Sequence, residues 1–243
     1  MIIAVDGPAG SGKSTVSKMI ADELGITYLD TGAMYRLFAY KLMKENIDFS
    51  DREKELKLLE DLNIDMKDNR FYLDNEDVTD KIRTRETSSN ASKISVVKEV
   101  REKMVELQRE FSKSKDVILD GRDIGTVVFP DADLKVYLNA DPEIRAERRC
   151  KELRNKGENV EYEEILREIT KRDYNDMHRK ESPLKIAEDA VILDSTSLSA
   201  EEIKDKIKKL VEEKMKKILS TRVLVKIGVL TTILLVLIIC IVW

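Results

Sequence analysis

The sequence predicts an α/β fold in which a doubly wound parallel sheet carries helices on both faces. Short apolar runs such as IIAVD (2–6), DVILD (116–120) and DLKVYLN (133–139) are typical of buried parallel strands. Segments with helical spacing separate these runs, and this alternation of strands with helices is the pattern of a parallel sheet. A glycine-rich loop, GPAGSGKS (7–14), lies between the first strand and the first helix.

The first part of the chain follows this pattern and then departs from it. In chain order the patterns predict strand 2–6, helix 13–24 with a stop at Gly25, strand 27–30 and helix 32–46. Residues 63–80 instead alternate around two turns, DNR and DNE, which predicts a small antiparallel meander. We expect this insertion, about residues 62–86, to form a small separate lobe.

The second part returns to strands and helices. The patterns predict helix 96–112, strand 116–120, strand 133–139, a helix from Asp141-Pro142, helix 161–179, strand 190–194 and helix 199–217. Asp141 is a capping residue type, and proline is favoured at the first turn of a helix. The polar stretch 151–164 predicts a mobile hairpin between two helices.

Composition excludes several classes of function. The chain has 243 residues, of which 42% are hydrophobic and 37% charged, as expected of a globular core. A formal net charge of -4 argues against a general nucleic-acid binder, so any bound anion needs a local group of arginines and lysines. The single His178 excludes a two-histidine zinc site, and Cys150 and Cys240 lie in regions too different for a disulfide. We expect a reducing, cytoplasmic location and a monomer.

The glycine-rich loop is the most specific motif, because it matches G-x4-G-K-[ST] between a strand and a helix. Backbone N–H groups of such a loop, together with the helix N-terminus, hold phosphate oxygens. Lys13 supplies a charge for the outer phosphates, and Ser14 offers a hydroxyl to Mg²⁺. We therefore expect ATP to bind along Gly7, Pro8, Ala9, Gly10, Ser11, Gly12, Lys13, Ser14 and Thr15.

Charged residues follow the later strands, at the sheet edge where ligands bind in open α/β folds. Asp120 ends a buried strand and is either a second Mg²⁺ residue or a simple turn residue. Arg122 and Asp123 come directly after it. These positions predict an acceptor site beside the phosphate loop.

Arginines in two further segments support the acceptor site. Arg36 comes about one helical turn after the end of the second strand. Arg172, Asp176 and Arg179 share one helix face, because they are three and four residues apart.

Taken together, these motifs resemble the bacterial cytidylate kinases over residues 1 to about 217. The segments that carry the resemblance are GPAGSGKS, YLDTGAMYR, NAS–KEVR (90–101), DGRDIGTVVFPDAD (120–133), KRDYNDMHR and VILDSTSLS. The small antiparallel insertion also looks like the extra lobe that separates this family from the adenylate kinases.

The resemblance implies transfer of the γ-phosphoryl group of ATP, with Mg²⁺, to CMP or dCMP. It implies a kinase domain at 1–219, with a monophosphate-binding lobe near 62–86 and a lid near 145–172. The implied catalytic residues are Lys13, Arg122 and Arg179. The implied substrate-binding residues are Arg36, Arg122 and Arg179 for the acceptor phosphate, Ser92, Arg101 and Asp123 for cytosine, Arg172 and Asp176 for the sugar, and Thr31, where serine is familiar.

The chemistry of the base agrees with this assignment. Cytosine presents an exocyclic amino donor, which a carboxylate such as Asp123 accepts. Arg101 and Ser92 are able to donate to the ring nitrogen and carbonyl. Uracil reverses the first contact, so we expect it to bind less well.

The lid implied by the resemblance is rich in arginine. Its candidates for closing over the phosphates are Arg145, Arg148, Arg149 and Arg154.

The segment 223–243 departs from the family pattern, because it is apolar and carries one charge, Lys226. Residues 227–243 would make a helix of about 25 Å, which approaches the hydrocarbon thickness when 223–226 are added. Basic residues precede it, as on the cytoplasmic side of a span. We expect residues 220–243 to be a transmembrane anchor at the inner face of the cell membrane. A buried core helix or a misread or fused reading frame are the alternatives.

Two other functions remain open on the residues alone. A P-loop kinase of the shikimate type would use a hydroxyl acceptor, but it would not explain the insertion or the many acceptor-side arginines. A membrane-tethered nucleotide sensor without catalysis would bind ATP and form no product.

Overall fold

A computed structural model describes residues 1–67, 70–217 and 220 of the chain. The strands in chain order are β1 (Ile2–Asp6), β2 (Thr27–Asp30), β3 (Ile64–Lys67), β4 (Arg70–Leu73), β5 (Glu76–Asp77), β6 (Val117–Gly121), β7 (Leu134–Asn139) and β8 (Val191–Asp194). The helices are α1 (Lys13–Leu24), α2 (Thr31–Lys44), α3 (Arg52–Glu60), α4 (Arg85–Ile94), α5 (Lys98–Phe111), α6 (Pro142–Asn155) and α7 (Tyr162–His178). Residues 200–217 are also helical. The predicted α/β class is confirmed.

Five strands form a parallel sheet in the order β2-β6-β1-β7-β8. In its central strand β1, the apolar residues Ile3, Ala4 and Val5 are completely shielded from solvent. The register places Asp30 beside Asp120 at the ends of β2 and β6. The carboxyl ends of the strands therefore gather polar side chains along one edge, as an open α/β sheet requires for ligand binding.

The predicted meander is a separate three-stranded antiparallel sheet, β3-β4-β5. Its second turn contains Asp74 and Asn75, whose φ angles of 50° and 68° lie in the left-handed region that these residue types tolerate. Phe71 and Leu73 of β4 are buried in the same hydrophobic cluster as α2 residues such as Phe38. The insertion thus has its own sheet but shares the main hydrophobic core.

The hairpin predicted at 151–164 is corrected by the structure, because helix α6 continues to Asn155 and α7 begins at Tyr162. Cys150 and Leu153 of α6 are buried in a small cluster with Ile165 and Ile169 of α7. Apolar residues at helical spacing therefore extend α6 into a stretch whose overall polarity suggested a loop. Helices α3 and α4 were absent from the prediction.

The chain divides into two compact units, Met1–Lys204 and Asp205–Trp243. In the second unit residues 205–217 are helical, with Ile207 and Val211 buried. Among the residues that the structure describes, no helix combines the length and apolar character needed to cross a membrane. The predicted anchor at 220–243 lies outside the described residues except for Ser220, and so does Cys240. Cys150 is buried with a free thiol.

Candidate active site

The loop between β1 and α1 has the backbone of a phosphate cradle. Gly7, Gly10 and Gly12 have φ angles of 150°, 76° and 92°, which side chains disfavour. A Cβ atom at Gly7 would lie 2.1 Å from the carbonyl oxygen of Leu138, so only glycine fits where the loop crosses β7. No side chain caps the N-terminus of α1 after Gly12, which leaves its first N–H groups for an anion.

Lys13 is buried and folds back over this loop. Its Nζ donates to the carbonyl oxygen of Pro8 at 2.7 Å and to Ser11 Oγ at 3.3 Å. Burial and the nearby charge of Arg122 hold the pKa of Lys13 well below its usual range, against the attraction of Asp120. The lysine therefore lies within electrostatic reach of both the predicted metal side and the predicted acceptor side.

Ser14 and Asp120 lie together beside the loop. The Ser14 hydroxyl donates to Asp120 Oδ2 at 2.8 Å, and the Tyr28 hydroxyl donates to Asp120 Oδ1 at 2.7 Å. Burial and the charge of Asp30 raise the pKa of the Asp120 carboxyl, while Lys13 lowers it.

This donor set fits Mg²⁺, which is typically bound by one or two protein oxygens together with phosphates and water. A hydroxyl and a carboxylate in contact, beside a phosphate loop, supply those oxygens. No cluster of three or more metal-ligating side chains occurs in the described part of the chain.

Four arginines of the predicted acceptor side each have a buried guanidinium nitrogen without a hydrogen-bond partner. The unpartnered atoms are Arg36 Nε, Arg101 Nε, Arg172 Nε and Arg179 Nη2. A buried donor that makes no hydrogen bond costs about 1–3 kcal/mol. Such donors fit an anion, because a phosphate supplies several acceptor oxygens at once.

These arginines come from distant segments of the chain, but their charges shift the pKa values of other residues in the site. Burial and repulsion by Arg122, with a further contribution from Arg36, lower the pKa of Arg172 to about 10. Repulsion by Arg172 also lowers the pKa of Lys13. These effects connect Arg122 and Arg172 with Lys13 of the phosphate loop, and Arg36 with Arg172.

Carboxylates hold the arginines in place. Arg36 Nη2 donates to Asp30 Oδ2 at 2.8 Å, and Arg122 Nε donates to Asp176 Oδ2 at 2.8 Å. Burial would raise the pKa of Asp176, but the surrounding arginines, Arg122 first, lower it below its usual value. Asp176 therefore stays charged in a buried position.

Arg179 is held at the end of α7, where its Nε donates to the carbonyl oxygen of Ser182 at 2.7 Å. Its Nη2 lies 3.5 Å from Asp123 Oδ1, and its Nη1 lies 3.7 Å from Asp176 Oδ1. Burial and repulsion by Arg101 lower the pKa of Arg179. The residue therefore links the predicted phosphate, base and sugar groups.

The predicted base-reading residues lie in two connected places. Arg101 Nη2 forms a buried ion pair with Asp123, and its guanidinium lies 5.7 Å from the ring centre of Tyr35. Arg101 Nη1 donates to the carbonyl oxygen of Ser95 at 2.9 Å. Ser92 is half-buried in α4, and its carbonyl oxygen accepts from Ser95 Oγ at 2.9 Å.

The predicted substrate residue Thr31, at the start of α2, forms a hydrogen bond to a strand of the sheet. Its Oγ1 donates to the carbonyl oxygen of Asp120 at 2.7 Å, and the side chain is buried. Thr31 therefore ties the start of α2 to the end of β6.

The predicted lid arginines all have protein partners. Arg145 Nη1 donates to the carbonyl oxygen of Ala9 at 2.8 Å and to Asp173 Oδ2 at 2.5 Å. Arg148 donates to the carbonyl oxygen of Ser195, and Arg154 donates to the carbonyl oxygen of Val160. Arg149 donates to the carboxylate of Glu152. Of these contacts, the one made by Arg145 reaches the phosphate loop.

Comparison with known proteins identifies the family of this site. A family model described as cytidylate kinase matches residues 3–213. The chain belongs to the cytidylate kinase family. It is accordingly an ATP-dependent kinase of cytidine monophosphates, CMP or dCMP.

Curated cytidylate kinases are similar over most of the chain. The protein named cytidylate kinase from Caldicellulosiruptor bescii is 53% identical over 209 residues, which cover 84% of this chain and 92% of the relative. The one from Fusobacterium nucleatum is 48% identical over 213 residues, covering 88% and 98% respectively. The one from Clostridioides difficile is 49% identical over 207 residues, covering 85% and 96%.

Three site residues of this cytidylate kinase were missed by the sequence analysis. Tyr28 binds Asp120, as described above, and Asp173 Oδ1 accepts the N–H of Ala9 at 3.1 Å. Asp6 is buried at the end of β1 and accepts two backbone N–H groups. Burial raises the pKa of Asp6 to about 6, against the effect of these hydrogen bonds. The strand-end rule that selected Asp120 would also have selected Asp6.

Proposed function

We propose that this kinase transfers the γ-phosphoryl group by in-line displacement between a phosphate-loop donor site and an acceptor site built from arginines. The observation that supports it most strongly is the set of four arginines that each have a buried guanidinium nitrogen without a hydrogen bond. One of them, Arg172, is near enough to Lys13 to lower the pKa of that lysine. Acceptor and donor both carry negative charge, so a kinase must position them and offset their repulsion. Buried cations with unused donors perform both tasks.

On the donor side, residues 7–15 hold the triphosphate of ATP through backbone N–H groups. Lys13 offsets charge on the outer phosphates, replacing its present contacts with Pro8 and Ser11. Ser14 and Asp120 hold the Mg²⁺ that accompanies ATP. When bound, this ion neutralises charge that develops on the phosphate oxygens.

On the acceptor side, Arg36, Arg122 and Arg179 hold the phosphate of the monophosphate substrate. A phosphate monoester has a second pKa near ~6, so the acceptor is mostly a dianion at neutral pH. The attacking oxygen therefore needs no general base. The arginines contribute by aligning this oxygen with the γ-phosphorus and by stabilising the charge of the transferring group.

Cytosine is read by Asp123, Arg101 and Ser92. Asp123 accepts from the exocyclic amino group, and its buried ion-pair partner Arg101 orients the carboxylate. Arg101 and Ser92 donate to the acceptor atoms of the base. The buried ion pair thus selects a base with an amino donor at this position.

Asp176 and Arg172 contact the sugar, and Thr31 supports the acceptor side through its bond to the end of β6. Helices α6 and α7, with the connection between them, form the lid near 145–172 that closes over the phosphates and excludes water. One chain supplies every side chain given a role, which is consistent with our proposal of a monomeric enzyme.

The test is a coupled assay of the purified chain with ATP, Mg²⁺ and a panel of CMP, dCMP, UMP, AMP and shikimate. We expect turnover with CMP and dCMP well above the other acceptors. Turnover with shikimate alone would identify a hydroxyl-accepting kinase instead. ATP binding without product from any acceptor would identify a nucleotide sensor.

The same assay tests base recognition with Asp123→Ala. We expect the preference for CMP over UMP to fall by about tenfold or more, because a charge-assisted hydrogen bond to the base is lost. Asp131→Ala is the matched control, since Asp131 is exposed in the connection to β7. An unchanged preference in Asp123→Ala would remove this residue from base recognition.

We further propose, on sequence alone, that residues 223–243 attach the kinase to the inner face of the cell membrane. The segment is long and apolar enough, with Lys226 able to reach the interface. We expect the full chain in the membrane fraction of cells. Leu234→Lys combined with Leu237→Lys should release it, because two charges at the centre of a span are costly. Recovery of the intact chain entirely in the soluble fraction would contradict attachment.

A further inference from the structure

Asp6 is a buried carboxylate that none of the roles above uses. It ends β1, is 5% exposed, and lies immediately before the first glycine of the phosphate loop. Its Oδ1 accepts the N–H of Ile124 at 2.8 Å, and its Oδ2 accepts the N–H of Gly125 at 2.7 Å. Both oxygens are thus committed to the backbone of a segment more than a hundred residues away.

That segment is a wide helical turn, Ile124–Val128, directly after Asp123. The N–H groups of Val128 and Phe129 donate to the carbonyl oxygens of Asp123 and Ile124, five residues earlier, at 3.1 and 2.7 Å. The first N–H groups of a helical turn have no partner within it, and no side chain of this turn caps them. Asp6 supplies that cap from the neighbouring strand.

The glycine at position 125 lies between the Lys135 side chain and the Asp6 carboxylate. A Cβ atom there would lie 3.4 Å from Asp6 Oδ2 and 3.1 Å from Lys135 Cδ. A side chain at 125 would therefore press on the Lys135 stem, directly beside the carboxylate of Asp6. The turn and Asp6 fit together as a unit.

We infer that Asp6 is a positioning residue that fixes Arg122 and Asp123 in the orientation needed for acceptor recognition. These two residues lead directly into the turn that Asp6 caps. Because Gly7 follows Asp6, one residue joins the donor loop to the acceptor turn. The inference rests on the proposed roles of Arg122 and Asp123.

Asp6→Asn tests this inference, because it keeps the shape but replaces one acceptor oxygen with an NH₂ group that faces an N–H donor. We expect KM for CMP to rise about tenfold or more, with KM for ATP changed less than about threefold. The preference for CMP over UMP should fall. Asp133→Asn is the matched control, since Asp133 Oδ2 accepts the N–H of Ile2 at the other end of the same strand.

Several outcomes would overturn the role of Asp6. These are equal rises in the KM values for ATP and CMP, or an unchanged KM for CMP and base preference in folded Asp6→Asn. If circular dichroism shows that Asp6→Asn does not fold, Gly125→Ala decides by the same measurements. It should raise KM for CMP selectively, and a uniform or absent effect would contradict the inference.

Asp123→Ala in the same assay separates this inference from the proposed function. If Asp123→Ala changes base preference and Asp6→Asn does not, the inference alone fails. If Asp123→Ala has no effect, base reading by Asp123 fails. The KM ratio for CMP and ATP then still decides whether Asp6 acts through Arg122.

Discussion

Lys13→Ala is expected to lower turnover by about 10²-fold or more, with the fold intact. The Lys13 ammonium lies over the phosphate loop, and burial and Arg122 already disfavour its charge. A triphosphate would reverse this, because it brings negative charge to the same place. Alanine removes a preorganised charge from the transferring group, and this loss appears mainly in kcat.

Steady-state rates with saturating ATP and CMP measure this effect. Lys18→Ala is the matched control, because Lys18 is exposed on the same helix α1. We expect Lys18→Ala to retain the activity of the unaltered chain. Turnover of purified Lys13→Ala close to that of Lys18→Ala would exclude the proposed role of Lys13.

Arg179→Ala should also lower turnover by about 10²-fold or more. Arg179 is the side chain that lies beside both Asp123 and Asp176, and its Nη2 makes no hydrogen bond. Its removal takes a hydrogen-bond donor from the acceptor phosphate. It also removes the positive charge that offsets the repulsion between the carboxylates of Asp123 and Asp176. We expect a fall in kcat and a rise in KM for CMP.

Two further variants define what Arg179 contributes. Arg179→Lys keeps the charge but loses the planar fork, so we expect a rate between those of the unaltered chain and Arg179→Ala. Arg167→Ala, an exposed arginine earlier on α7, serves as the matched control. If Arg179→Ala and Arg167→Ala gave similar rates, Arg179 would have no part in catalysis.

The fold was predictable where a short apolar run is followed directly by residues that end a strand or helix, such as glycine and proline. IIAVD is followed by Gly-Pro, and β1, α1 and β2 begin and end where the patterns predict. The stretch 151–164 was misjudged because its many charged residues surround Leu153, a buried residue that packs α6 against α7. The polarity of a short stretch therefore does not show whether it forms a helix that packs against another helix through a few apolar residues.

The parts of the candidate site that were predictable are those whose residues lie close together in the sequence. The phosphate loop is a contiguous motif, and the strand-end rule located Asp120, Arg122 and Asp123. Tyr28 was missed because its bond to Asp120 depends on the register of β2 against β6, which neither strand encodes alone. Asp6 was missed because its hydrogen-bond partners belong to a wide helical turn, and such turns have no characteristic sequence pattern.

The central position of β1 has a consequence for synthesis of the chain. This strand is synthesised well before its two neighbours in the sheet, which begin only at Val117 and Leu134. At ordinary elongation rates this delay is roughly 5 to 20 seconds. During that interval an apolar segment with both edges unpaired is open to association with other nascent chains. Cytidylate phosphorylation therefore begins only after a vulnerable stage that the order of the strands makes unavoidable.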